Sequence, residues 1–131
     1  MIEDNVILVD VQDNQIGLMP KLEAHEKGVL HRAFSVFIFN NRGELMLQRR
    51  ALTKYHSPGL WTNTCCSHQR EGETNIFSAK RRLNEEMGFV TELIEKTSFI
   101  YKANFDNGLI EHELDHIIVG KYKQSPVINS S

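Results

Sequence analysis

Residues 61–68, Trp61-Thr62-Asn63-Thr64-Cys65-Cys66-Ser67-His68, bring together both cysteines, the only tryptophan and one of the six histidines of a 131-residue chain. A thiol two positions from an imidazole suits thiolate, acid–base or metal chemistry, because both groups change protonation state near neutral pH. Taken alone, a buried structural cysteine beside a solvated histidine is the commoner arrangement. Glu111-x-Glu113 is the second constellation. Two apart in a strand, these carboxylates project from one face and can reach one ligand, although a solvated outer face is the ordinary reading of such a pair. His25, His31 and His68 all lie near expected element ends, and three imidazoles with two carboxylates form a set suited to a divalent metal. The five side chains come from four separate segments with no local motif to link them. His56, His112 and His116 read as surface or structural residues.

The elements that must position these groups follow from composition and periodicity. With 40% hydrophobic and 24% charged residues, the chain reads as one soluble domain over residues 1–131. A formal net charge of -2 gives no broad field for nucleic acid or an anionic membrane, so local basic residues must hold any anionic ligand. Adjacent Cα atoms about 3.8 Å apart cannot carry an ordinary disulfide, so reduced thiols and a cytoplasmic setting are expected. No run near the start resembles a signal peptide, and none approaches the roughly 20 apolar residues of a membrane span.

Val6-Ile7-Leu8-Val9 and Ile16 to Met19, interrupted by Asp10 and Asn14 and ended by Pro20, predict an opening hairpin. Ala33 to Asn40 and Glu44 to Gln48 predict a second, around Asn40-Asn41-Arg42-Gly43. Residues 51–60 read as a loop that delivers Trp61 to Thr64 as a short strand. A cap at Thr74 or Asn75, an apolar stripe of Ile76, Ala79, Leu83 and Met87, and a stop at Gly88 predict one main helix. Thr97 to Asn104 and Leu109 to Tyr122 flank Phe105-Asp106-Asn107-Gly108, a further hairpin. The fold class is α+β, a mixed sheet packed by one main helix.

Within that helix, Arg81 with Glu85 and Arg82 with Glu86 are ordinary i, i+4 pairs. Glu73, followed by Arg81-Arg82-Leu83-x-Glu85-Glu86-x-Gly88-Phe89, resembles a degenerate Nudix box, with Ser67 where the box has glycine and Arg82 where it has glutamate. Those two departures argue against ordinary Nudix pyrophosphate hydrolysis. Arg49-Arg50-Ala51-Leu52-Thr53-Lys54, Pro58-Gly59-Leu60-Trp61-Thr62-Asn63, Cys66-x-His68 and Glu111-x-Glu113 are together similar to type I isopentenyl-diphosphate isomerases. These are the divalent-metal-dependent branch of the Nudix superfamily, and the resemblance runs from about Val6 to about Val119.

The resemblance implies a Nudix-like mixed sheet with a Nudix helix and an N-terminal hairpin. It implies an isomerase of isoprenoid biosynthesis that interconverts isopentenyl and dimethylallyl diphosphate through a tertiary carbocation. Cys66 and Glu113 then correspond to the proton-transfer groups, and Tyr101 to a tyrosine that hydrogen-bonds the catalytic carboxylate. His25, His31, His68, Glu111 and Glu113 correspond to ligands of Mn²⁺, Zn²⁺ or Mg²⁺, and Glu86 to a residue holding a second Mg²⁺ that arrives with the substrate. Lys21, Arg50, Lys54 and Arg82 match the grip on the diphosphate. Trp61 reads either as a wall of the hydrocarbon site or as a packed core residue. Family members continue past Ser131 with further strand and helix, so a missing C-terminal segment is expected, with slow turnover through a cavity open to water. Two alternatives stay beside this reading: a Nudix-type diphosphate hydrolase and a catalytically silent diphosphate-binding domain. The expected partner is a small isoprenoid diphosphate, with no nucleic acid and no membrane.

Overall fold

A computed structural model describes residues 5–46, 48–49, 61–62 and 65–122, with 48–49 and 61–62 described through their backbone. The opening hairpin pairs β1 (Asn5–Val9) antiparallel with β2 (Gln15–Pro20), and Val6, Ile7 and Val9 are buried. Pro20 then leads directly into a short helix, α1 (Lys21–Lys27), which the sequence reading leaves out. Its signals are present: a proline at the entry, a run of good helix formers, and Gly28 as a left-handed cap at φ 68°. Seven residues fall short of the roughly 12 an isolated helix needs, so α1 depends on tertiary contacts such as those of buried Ala24 and His25.

The remaining elements are β3 (His31–Phe39), β4 (Leu45–Met46), β5 (Gln48–Arg49), β6 (Trp61–Thr62), β7 (Cys65–Ser67), α2 (Asn75–Met87), β8 (Leu93–Asn104) and β9 (Ile110–Lys121). β3 is the spine of the larger sheet. Along one edge it runs parallel to β9, in register from His31 opposite Glu113 to Phe39 opposite Lys121. Along the other edge it meets β1 at His31, then β7 at residues 34–36, then β4 at residues 38–39, all antiparallel. β8 completes the far side antiparallel to β9, so the main path is β2-β1-β3-β9-β8, while β5 and β6 form a separate pair.

The mixed sheet, the hairpins and the main helix agree with the sequence expectations. Thr74 caps α2 by accepting from the Phe77 amide at 3.1 Å, and Gly88 ends it at φ 79°. β8 begins at Leu93 rather than Thr97, with a register irregularity between Glu95 and Thr97. The loop expected over 51–60 lies outside the described residues. So do Arg50, Lys54, His56, Asn63, Thr64, the side chain of Trp61 and the tail after Tyr122.

Because side chains alternate along a strand, the two sides of the sheet differ. Phe34, Val36 and Ile38 of β3, Cys65 of β7 and Ile118 of β9 bury against Ala79, Leu83 and Met87 of α2. Truncating a side chain such as Leu83 there costs about 2–5 kcal/mol. Ser35 and Cys66, which pair with each other, share the opposite side with Glu113 and Asp115. The two adjacent cysteines therefore stand on opposite faces of one sheet.

Candidate metal centre and active site

Four elements deliver four ligand-bearing side chains to one point. His25 comes from α1, His31 opens β3, His68 follows β7 and Glu113 lies in β9; one ligand-capable atom of each falls within 4.8 Å of all the others. The three imidazole centroids are 5.0 to 5.9 Å apart. Gly28 makes this possible by turning the chain so that α1 can fold back beside the start of β3. The parallel register then sets His31 opposite Glu113.

Backbone carbonyls orient two of the rings. His25 Nδ1 donates to the Lys21 carbonyl at 2.8 Å and His31 Nδ1 donates to the Val29 carbonyl at 2.9 Å, which leaves both Nε2 atoms as lone-pair donors. His68 Nε2 and His31 Nε2 lie 3.0 and 3.3 Å from the same oxygen, Glu113 Oε2. At 3.3 Å the His31 contact lacks hydrogen-bond geometry, so this fully buried nitrogen has no hydrogen-bond partner. A buried imidazole nitrogen left this way calls for another partner. Burial pushes the His68 imidazole down in spite of Glu113, which favours its neutral ring. Burial works on Glu113 in the other direction, but the contacts from His31, His68 and Tyr101 outweigh it and hold the carboxyl well below the usual carboxylate range. Three imidazoles and one carboxylate are a donor set that fits a divalent cation.

Glu111 is not part of that four-residue set. Its carboxylate turns to the hydroxyl of Tyr101, which also lies 2.5 Å from Glu113 Oε1. Tyr101 sits opposite Glu113 in the β8–β9 ladder. Burial and then the two carboxylates push its pKa up, so the phenol keeps its proton. Cys66 is exposed on the same face, its thiol 3.6 Å from Ser35 Oγ. Cys65, on the helix side, donates to Glu86 Oε2 at 3.0 Å; burial first, and the Glu86 charge second, push its thiol far up. Such a thiol is inert. Glu86 itself lies on that helix side, ion-paired to Arg82 at 3.0 Å, so the structure does not bring it to the three-histidine set.

A pocket beside His68 is lined by Lys21, Ser67, Arg70, Arg81 and Arg82 among others. Arg81 is neutralised by Glu73 through contacts at 2.7 and 3.0 Å. Lys21 and Arg82, expected as diphosphate residues, thus line a pocket beside His68 of the three-histidine cluster. Arg70 was not anticipated, since only the turn after His68 carries it there. Ser35 and Asp115 were also missed on the Cys66 face, although Asp115 continues the alternation of Glu111-x-Glu113 and was legible in that sense. Of the histidines read as surface or structural residues, His112 Nδ1 donates to the Gly28 carbonyl at 3.0 Å, and buried His116 sits between Asp13 and Glu95 at 2.9 and 2.8 Å.

Residues 29–131 match the NUDIX domain family. Isopentenyl-diphosphate Delta-isomerase 2 of Aromatoleum aromaticum is 54% identical over 127 residues, which cover 97% of this chain and 67% of that protein. Isopentenyl-diphosphate Delta-isomerase 2 of Photorhabdus laumondii is 54% identical over 127 residues, covering 97% and 72%. The Serratia proteamaculans isopentenyl-diphosphate Delta-isomerase is 54% identical over 124 residues, covering 95% and 69%. In fold, a crystal structure of a Nudix protein from Deinococcus radiodurans superposes with a TM-score of 0.76 at 19% identity, over 97% of this chain and 77% of that one. The MutT protein of Methanosarcina mazei gives 0.61 at 14% identity, over 78% and 71%. Such distant structures speak for the architecture, whereas the close relatives match in sequence along nearly the whole chain. With more than half of its residues identical to theirs along nearly its whole length, the chain belongs to the isopentenyl-diphosphate Delta-isomerases of the Nudix superfamily.

Proposed function

We propose that this chain interconverts isopentenyl diphosphate and dimethylallyl diphosphate in the cytoplasm, as one domain. The observation that supports this most is the shared sheet face of Cys66 and the Glu113–Tyr101 pair, with Glu113 also in the three-histidine cluster. Isomerisation adds a proton to the terminal alkene carbon, which leaves a tertiary cation, and removes a proton from the carbon next to the diphosphate-bearing one; the formula is unchanged. Two proton-transfer groups must therefore flank the hydrocarbon. Glu113 serves on one side and Cys66 on the other, and because the reaction is reversible each acts as acid in one direction and base in the other. Tyr101 holds Glu113 in place through its hydroxyl.

His25, His31, His68 and Glu113, with Glu111 as a fifth ligand, would hold Mn²⁺, Zn²⁺ or Mg²⁺. Such a cation, when bound, lowers the proton affinity of the Glu113 carboxyl and fixes its direction. Lys21 and Arg82, joined by Arg50 and Lys54, grip the diphosphate by charge and paired hydrogen bonds, and Glu86 is read as a ligand of the Mg²⁺ that the diphosphate carries. Anchoring that end places the alkene between the two proton-transfer groups. Hydrolysis is disfavoured by Arg82 at the position where a Nudix hydrolase needs a glutamate.

Incubation with isopentenyl diphosphate in D₂O, followed by NMR, tests the reading. Deuterium in dimethylallyl diphosphate is the expected result, and Cys66→Ala and Glu113→Gln should each abolish it while the far-UV spectrum is retained. Released phosphate would replace the isomerase by a hydrolase, and saturable binding without turnover would leave a silent binding domain.

A further inference from the structure

One buried carboxylate on the reaction face has no place in the metal-ligand set. Asp115 continues the alternation of Glu111 and Glu113 along β9 and is 4% exposed. Its Oδ2 accepts from Ser35 Oγ at 2.8 Å, and its buried Oδ1 has no partner. Ser35, also buried, is the cross-strand partner of Cys66 and places Oγ 3.6 Å from Cys66 Sγ. A hydroxyl carries one hydrogen. Once Ser35 has given its hydrogen to Asp115, its oxygen can only accept, so the thiol hydrogen is drawn to it. The contacts form a directed line, Cys66 to Ser35 to Asp115, across three strands.

Packing alone would not select this arrangement. A buried serine–aspartate pair costs desolvation that two apolar residues of the same size would avoid. On the helix side of the same strands the corresponding positions are apolar, Phe34, Val36 and Ile118 among them.

We propose that Ser35 and Asp115 are positioning residues for Cys66. Asp115 orients the Ser35 hydroxyl, and that hydroxyl confines the exposed thiol to one direction on the reaction face. The role rests on Cys66 being a proton-transfer group. It does not depend on the charge of Asp115, since either form of the carboxyl offers an acceptor oxygen.

The test is steady-state isomerisation of isopentenyl diphosphate by the full chain and its variants, with thermal melts alongside. Loss of one orienting contact in a proton-transfer step predicts a fall in kcat of about tenfold for Ser35→Ala and for Asp115→Ala, with KM unchanged. The variants that keep an oxygen at the right place, Ser35→Thr and Asp115→Asn, are expected to stay within about threefold of the parent. Because both residues act through one thiol, Ser35→Ala/Asp115→Ala should be no slower than either single variant. Unchanged kcat in both alanine variants, a raised KM at constant kcat, or additive losses would each overturn the proposal. Should Asp115→Ala fail to fold, Ser35→Ala against Ser35→Thr decides alone, since that exchange leaves no large cavity. Cys66→Ala separates the two levels: full turnover by it would refute the role of the thiol itself. Its inactivity beside a fully active Ser35→Ala would refute the positioning pair only.

Discussion

Replacing Glu73 by glutamine removes one charge from the joint between the His68 loop and α2. The Glu73 oxygens accept from Arg81 Nε at 2.7 Å, Arg81 Nη2 at 3.0 Å, Ser78 Oγ at 2.7 Å and the Arg70 amide at 2.8 Å. Burial would raise this carboxyl, but the bonds from Arg81, Ser78 and Arg70 together outweigh it and bring it down from 4.5 to about 2. The side chain is only 12% exposed, so solvent screens the pair weakly. The difference, 4.5 minus about 2, corresponds to about 3 kcal/mol. A folded value below the unfolded one means the stabilisation is complete above pH 4.5 and is lost as pH falls through about 2. Glutamine keeps the volume but turns an amide nitrogen towards Arg81, whose other acceptor is Glu85 at 3.2 Å. Glu73→Gln should therefore cost about 2–3 kcal/mol at pH 7, a drop in Tm of roughly 10 °C for a chain of this size. Urea unfolding of both proteins at pH 7, 5 and 3 is the assay, and the gap should have closed by about half at pH 3. A gap under about 0.5 kcal/mol at pH 7, or one that persists undiminished at pH 3, would show that the clamp does not stabilise the joint.

Removing divalent ions with a chelator should lower Tm and adding them back should restore it, because a ligand bound only by the folded state stabilises that state; an unchanged melt would count against the cluster as a metal site. His31→Gln should retain about a tenth or less of the parent's bound metal by elemental analysis, since it removes the buried Nε2 donor. Gly28 sits at φ 68°, and a Cβ there would approach Ile110 Cγ2 at 3.0 Å. Gly28→Ala should thus cost about 1–2 kcal/mol and weaken metal retention through the displaced His25; a parent-like melt would refute the need for that turn. Asp115 is pushed up by burial from 3.8 to about 6, so the favourable protonated form is complete below 3.8 and lost as pH rises through about 6. In chelator-treated protein Asp115→Asn should add about 2–3 kcal/mol at pH 7.5 and nothing at pH 3, which paired denaturation curves would reveal.

Much of the architecture is local and was readable for that reason. A capping threonine, an apolar stripe at helical spacing and a terminal glycine are sufficient for α2, and the turn Phe105-Asp106-Asn107-Gly108 announces the β8–β9 hairpin. The short α1 escaped notice although Pro20 and Gly28 frame it, because seven residues carry too little periodicity to stand out. The roles expected of Cys66, His68 and Glu113 rest on family resemblance rather than on spacing, since Glu113 lies far from the other two in the chain.

By itself the sequence determined the inventory: one thiol pair, the histidines, an alternating acidic strand and a helix that carries two arginines, each set by short-range propensity and periodicity. The tertiary structure decided which members meet. The parallel register of β3 and β9 joins His31 to Glu113, and the fold-back of α1 brings His25 to the same point. Strand alternation sends Cys65 to the core and Cys66 to the opposite face, which it shares with Glu113. The same sheet keeps Glu86 on the helix side, while Tyr101 draws Glu111 aside from the histidine cluster. These contacts are set by strand register and by which face the helix covers, and no local preference encodes either.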